Sequence, residues 1–122
     1  MKQQKTKFRV WDKKNKVMYN SKNKLEFCSS FEKGWAFLEL EGIETEDCIL
    51  MQYTGLLDKN GKEIWEGDVV KFVAEDSIGI VYFASGEFLV KELPKENLVR
   101  LSWCKEHAEV IGNIMENPEL LR

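Results

Sequence analysis

Residues 51–72 (Met-Gln-Tyr-Thr-Gly-Leu-Leu-Asp-Lys-Asn-Gly-Lys-Glu-Ile-Trp-Glu-Gly-Asp-Val-Val-Lys-Phe) constrain the fold more than any other stretch of the chain. Asn60-Gly61 is a strong hairpin signal, because both residue types tolerate the positive φ that a type I′ turn demands. Six residues on, Gly67-Asp68 marks a second turn and launches Val69–Val73, a β-branched run broken only by Lys71 and Phe72. The spacing predicts one hairpin followed by a hand-over into a second sheet, and so a β protein instead of a helical bundle.

The flanking segments extend this pattern. Lys7-Phe8-Arg9-Val10-Trp11 alternates polar and apolar, which predicts a half-buried strand, and Val17-Met18-Tyr19 returns as its partner across the turn chemistry of Asp12–Lys16. Asp12-Lys13-Lys14-Asn15-Lys16 echoes Asp58-Lys59-Asn60-Gly61-Lys62 as turn chemistry, but the flanks do not match and no duplication follows. Leu25–Cys28 reads as a strand, with Glu32-Lys33-Gly34 as a turn before Trp35–Leu40. That last segment fits a strand or a short helix, and strand is favoured because Gly34 and Gly42 bound only seven residues. Cys48–Tyr53 is apolar and β-prone. After Val73, Ile78–Phe83 and Glu87–Lys91 are strands joined by a Ser85-Gly86 turn, and Gly79 is expected to mark a bend or bulge. Three short strands at roughly ten-residue spacing predict a small closed or half-closed barrel. Pro94–Trp103 is read as holding one helical turn that presents Leu98, Val99 and Leu101. Glu109–Ile114 closes as a strand, and Asn117-Pro118-Glu119 has the chemistry of a short helix start.

The 122 residues, 43% hydrophobic and 32% charged, have an ordinary globular composition. No apolar run approaches the roughly 20 residues of a membrane span, and Met1–Lys5 leads into no signal-like apolar segment. The expected setting is the cytoplasm. Three cysteines, Cys28, Cys48 and Cys104, form no close pair and read as reduced, buried thiols. Residues 1–24 hold nine Lys/Arg against one acid, whereas the remaining 98 hold nine basic and 20 acidic residues. This asymmetry either marks polyanion contacts, with Lys2, Lys5, Lys7, Arg9, Lys13, Lys14 and Lys16 as the contacting residues, or is answered by the chain's own acids around Glu39–Asp47. Self-complementarity is favoured, because an acidic body repels phosphate backbones.

Three blocks carry a family pattern: Lys7–Asp12; Met51–Leu56 with Asp58–Gly61 and Glu66–Val70; and Glu109–Ile114 with Glu116–Leu121. Together they resemble the YopX family of phage and prophage proteins over essentially the whole chain. The resemblance implies a mostly β fold with an SH3-like barrel and a phage or mobile-element setting. It supplies no biochemical activity and no catalytic residues.

Catalytic readings of the residues are outweighed by structural ones. Cys104 and His107 lie three apart, which on a helix puts thiol and imidazole on one face, with Glu106 or Glu109 as an orienting acid. No oxyanion donors accompany them. Glu63, Glu66 and Asp68 fit neither a calcium loop nor a magnesium pattern, and no metal or cofactor is expected. Gly55, Gly61 and Gly67 form no phosphate loop. Gln52-Tyr53-Thr54 places polar groups around an aromatic at a strand end, either as a junction or, with Trp11 and Trp65, as a recognition surface. The four tryptophans, Trp11, Trp35, Trp65 and Trp103, are expected to supply buried area.

The reading is therefore a single domain, mainly β in the α+β sense. An N-terminal hairpin lobe (about 1–56) packs on a C-terminal SH3-like barrel lobe (about 57–122) that ends in a short helical turn. The expected role is a non-enzymatic accessory module that binds a phage or host protein and is able to self-associate. The alternative is nucleic-acid binding through the basic N-terminal segment.

Overall fold

The structure is a computed structural model that describes residues 7–19, the strand backbones of 26–30 and 35–39, and residues 48–72 and 74–121. Its strands and short helical turns make it mainly β. Contacts divide the chain into two units, Lys7–Met51 and Gln52–Arg122.

In the first unit, β1 (Phe8–Asp12) and β2 (Val17–Tyr19) pair antiparallel with Trp11 opposite Met18. Asp12 shapes the turn between them. Its Oδ1 accepts the Lys14 and Asn15 N–H groups at 3.0 and 3.2 Å, and its Oδ2 accepts Asn15 Nδ2 at 2.7 Å. The Asn15 side chain leads the hydrogen bonds that hold this carboxyl below the ordinary aspartate value, against the opposing effect of burial. β3 (Glu26–Ser30) and β4 (Trp35–Glu39) form a separate antiparallel pair, so 35–39 is strand and not helix. The expected turn at Glu32–Gly34 and the acidic loop 41–47 lie outside the described residues. β5 (Cys48–Leu57) contributes Cys48–Met51 to this unit and its remainder to the next.

In the second unit, β5 pairs with β6 (Glu63–Trp65), matching Tyr53 to Trp65 and Leu57 to Glu63. Four residues of β5 thus span two of β6, and Gly55 takes φ 80° inside that irregularity. Next come β7 (Asp68–Phe72), β8 (Ser77–Ala84), β9 (Glu87–Leu93) and β10 (Asn97–Arg100) as an antiparallel meander. The helical turn α1 (Leu101–Cys104) and a 3-10 turn (Lys105–His107) then carry the chain to β11 (Ala108–Asn113), which returns beside β7. The sheet order β10-β9-β8-β7-β11 is the SH3-like arrangement, curled into a half-barrel. Its inner face alternates as a half-buried sheet should. Val70, Phe72, Val81, Val90, Ala108 and Val110 point inward and pack with Ile64 and Leu101.

Four local expectations are corrected. Asn60-Gly61 is not a type I′ turn, since only Gly61 has positive φ (80°). The Gly61 N–H bonds to the Asp58 carbonyl at 3.0 Å, and the Asp58 N–H to the Lys62 carbonyl at 2.8 Å, giving a longer loop with glycine at its left-handed position. The cause is Asp58, whose Oδ1 captures the N–H groups of Asn60 and Lys62 at 2.8 and 2.9 Å. The turn with positive φ at both centres is Ser85-Gly86, at 54° and 81°. Gly79 sits in unbroken register with Val70 and Glu92, so it makes no bulge. Its role is space: an added Cβ would overlap Val90 Cγ1. Leu98 and Val99 belong to strand β10, and the helical turn starts only at Leu101, which is fully buried. Finally, the short C-terminal helical turn forms with Pro118 first, as expected, over Pro118–Leu121, but the side chain of Asn117 does not cap it: its Oδ1 turns back to accept the Asn113 N–H at 3.2 Å.

Candidate functional site

Among the residues singled out from the sequence, the structure gathers Gln52, Tyr53, Thr54 and Trp65 at the β5–β6 ladder. The Tyr53 and Trp65 rings lie 5.3 Å apart at 43°. Gln52 and Glu66 bond reciprocally, the Gln52 N–H to Glu66 Oε1 at 3.2 Å and the Glu66 N–H to the Gln52 carbonyl at 2.9 Å. Thr54 Oγ1 donates to the Ile64 carbonyl at 2.7 Å and accepts the Leu56 N–H at 3.1 Å. The Thr54 hydroxyl thus serves the strand irregularity at Gly55. Trp11 is buried on β1 in the other unit. Replacing Thr54 with valine, which keeps the shape and removes both bonds, is expected to cost about 1–2 kcal/mol in urea unfolding.

The basic candidates do not form one cluster in the described residues. Lys5 lies outside them. Lys7 and Arg9 are half-buried, whereas Lys13, Lys14 and Lys16 are exposed in the β1–β2 turn. The acids of the central stretch are engaged in structure. Asp68, 2% exposed, accepts the Trp65 N–H on Oδ2 at 2.7 Å. No three His, Cys, Asp or Glu side chains among the described residues converge on a metal position.

A site that sequence reasoning missed lies where β10 meets α1. Along β10, Leu98 and Arg100 face outward and Val99 inward, until Leu101 enters the core and turns the chain. That turn projects Trp103 away from the core, leaving it 73% exposed, and Leu98 on β10 is 60% exposed. Trp103 therefore does not supply the buried area expected of it. The Arg100 guanidinium lies over its ring, 4.9 Å from the centroid, while Arg100 Nε pairs with Glu87 Oε1 at 3.1 Å. Among the described residues β10 is also the sheet's edge strand, with no neighbour beyond it. The available signal was the alternation Leu98-Val99-Arg100-Leu101, which assigns one face to solvent before the tryptophan arrives.

Behind β10, on the inner side, is a cavity of about 330 Å³ lined by Phe72, Ala74, Glu75, Glu92, Val99, Cys104 and His107. It brings Cys104 and His107 to one wall. Burial, aided by the negative charge of Glu92, pushes the Cys104 thiol up to about 11. The thiolate that nucleophilic chemistry requires is scarce at neutral pH. The sulfur's hydrogen-bond partner is the Leu101 carbonyl, at 3.8 Å. No helix among the described residues is long and apolar enough to cross a membrane.

Comparison with known proteins gives a consistent placement. A family model described as YopX protein matches residues 7–122. Protein EF1440 from Enterococcus faecalis has a similar solved structure, with 28% identity and a TM-score of 0.65 over 98% of this chain and 100% of that one. Protein yopX from Bacillus subtilis is similar in fold, with 23% identity and a TM-score of 0.63 over 95% of this chain and 98% of that one. No curated protein matches the chain significantly.

Proposed function

The chain belongs to the YopX family, and from that premise we propose that it is a phage- or prophage-encoded accessory protein, a non-enzymatic module acting in the bacterial cytoplasm through protein contacts at the β10–α1 edge. The observation that carries this reading is Trp103, 73% exposed with Arg100 over its ring, together with an exposed Leu98 on the adjoining strand. An indole left in water forgoes a large favourable burial. Tryptophan and arginine are also the residues that dominate protein interfaces when they become desolvated. The adjoining edge strand offers unpaired backbone groups to an extended segment of a partner.

Capture from host lysate by the wild-type chain and by Trp103→Ala, run in parallel, tests the reading. The substitution is expected to leave stability within about 0.5 kcal/mol, as exposed positions do, and to abolish retention of the protein held by the wild type. Equal capture by both chains would overturn it. Retention on DNA or RNA at about 50 mM salt, lost when Lys13, Lys14 and Lys16 are made neutral, would favour the nucleic-acid alternative instead.

A further inference from the structure

The cavity behind β10 has a composition that defines its ligand. At about 330 Å³ it falls within the roughly 300–1,000 Å³ of small-ligand clefts. Phe72, Ala74, Val99 and the protonated Cys104 thiol give it an apolar lining. Glu75, from the β7–β8 turn, and Glu92, from β9, add two carboxylates, and His107 adds an imidazole, so acids outnumber bases in the lining. Nearby acids have cations: Asp76 pairs with Lys71 at 3.7 Å, Glu96 with Lys91 at 3.5 Å, and Glu87 with Arg100 at 3.1 Å. Among the described residues, the Glu75 and Glu92 carboxylates have no such partner. The Glu92 charge reaches the cavity wall, since it acts on the Cys104 thiol. The acidic groups present do not converge as a metal-ligating set, and two carboxylates repel an anion.

We propose that this cavity receives an alkyl chain ending in a guanidinium or ammonium group, presented as the arginine or lysine side chain of an extended protein segment bound along β10. The apolar lining suits the methylene stem and the two carboxylates suit the cationic head. Strand geometry favours a peptide as the source. Val99 points inward on the edge strand, and a residue placed opposite it on an added strand shares its face. Such a residue enters the cavity, while its two neighbours face outward toward Leu98 and toward Arg100 with the Trp103 ring it covers. The partner segment is thus apolar–basic–apolar at its centre. The peptide source rests on the protein-binding role of the β10–α1 edge; the cation preference of the cavity does not.

The test is an amide NMR titration of the full chain with n-butylguanidinium, with neutral n-butylurea as control. Saturable shifts at Glu75, Glu92, Val99, Cys104 and His107 are expected with the cation and not with the urea. Glu92→Gln and Glu75→Gln, each checked for an unchanged melting temperature, should each weaken binding roughly tenfold, as loss of a charge-assisted bond does. Trp103→Ala should retain the butylguanidinium response, so failure of the outer face and failure of the cavity are distinguishable. An acetylated Leu-Arg-Val peptide should bind more tightly than spermidine and lose affinity in Trp103→Ala. Spermidine binding more tightly than the peptide would overturn the peptide source. Absence of saturable shifts at millimolar butylguanidinium, or equal response to the urea, would overturn the cation site.

Discussion

Replacing Asp58 with alanine is expected to destabilise the protein by about 4 kcal/mol, a large share of the roughly 5–15 kcal/mol that holds a typical domain together. The Asp58 carboxylate accepts the N–H groups of Asn60 and Lys62 within its own loop, and the N–H of Val110, 52 residues later, at 2.9 Å. The Lys59 N–H adds a bond to the Ala108 carbonyl at 3.0 Å. One side chain therefore sets the loop conformation and ties it to β11. Alanine removes all three acceptor bonds and leaves the buried Val110 N–H without a partner. Urea unfolding at neutral pH measures the loss, and a change below about 1 kcal/mol would contradict the assignment.

The same residue gives a pH prediction. Burial pushes the Asp58 carboxyl up, but the N–H bonds from Val110, Lys62 and Asn60, with the charge of Lys62, outweigh it and hold the group below its ordinary value. The folded state therefore binds the proton less readily than the unfolded state. The stabilisation is fully present above the unfolded value of about 3.9 and is lost as pH falls through the lower folded value. Stability measured against pH should fall more steeply on the acid side in the wild type than in Asp58→Ala. Some slope should remain in the variant, because Asp12 is held low as well.

The second large effect concerns Gly79. Its added Cβ would overlap Val90 Cγ1, and would meet the Lys91 carbonyl oxygen at 3.3 Å and Phe72 Cε2 at 3.4 Å. Val90 is fully buried among Phe72, Val81 and Leu101, so it has little room to yield. Gly79→Ala is expected to cost about 2–3 kcal/mol through overpacking. Val90→Ala, a cavity-forming change, should cost about 2 kcal/mol alone. The double variant should be less destabilised than the sum by about 1–2 kcal/mol, since each change relieves the other. Additive losses would show that the glycine serves the backbone and not the packing.

Much of the barrel was legible in the sequence, because β-branched alternation and glycine turns are local signals. Val69–Phe72, Ile78–Phe83 and Glu87–Lys91 all fall within strands of the curled sheet. What escaped depends on groups distant in sequence. The loop at Asn60-Gly61 follows from the Asp58 carboxylate and its bond to Val110, which no dipeptide rule contains. The role of Gly79 follows from Val90 on the neighbouring strand. The exposure of Trp103 was hidden because tryptophan is usually buried, and only the dive of Leu101 into the core decides which way the next turn points. The cavity was illegible for a similar reason: Glu75 and Glu92 sit on different elements and share a space only once the sheet curls.

On the proposed reading, the turn and junction residues build the barrel, while binding belongs to the β10–α1 edge. Site-specific photo-crosslinking tests it most directly, with p-benzoylphenylalanine placed at Ser102, exposed next to an intact Trp103, and, as a control, at Phe83, an aromatic 47% exposed elsewhere on the same sheet. Irradiation in the host cell is expected to give a discrete protein adduct at position 102, attached through an apolar–basic–apolar segment, and none at position 83. Adducts of equal yield at both positions, or crosslinks at 102 to nucleic acid alone, would contradict it.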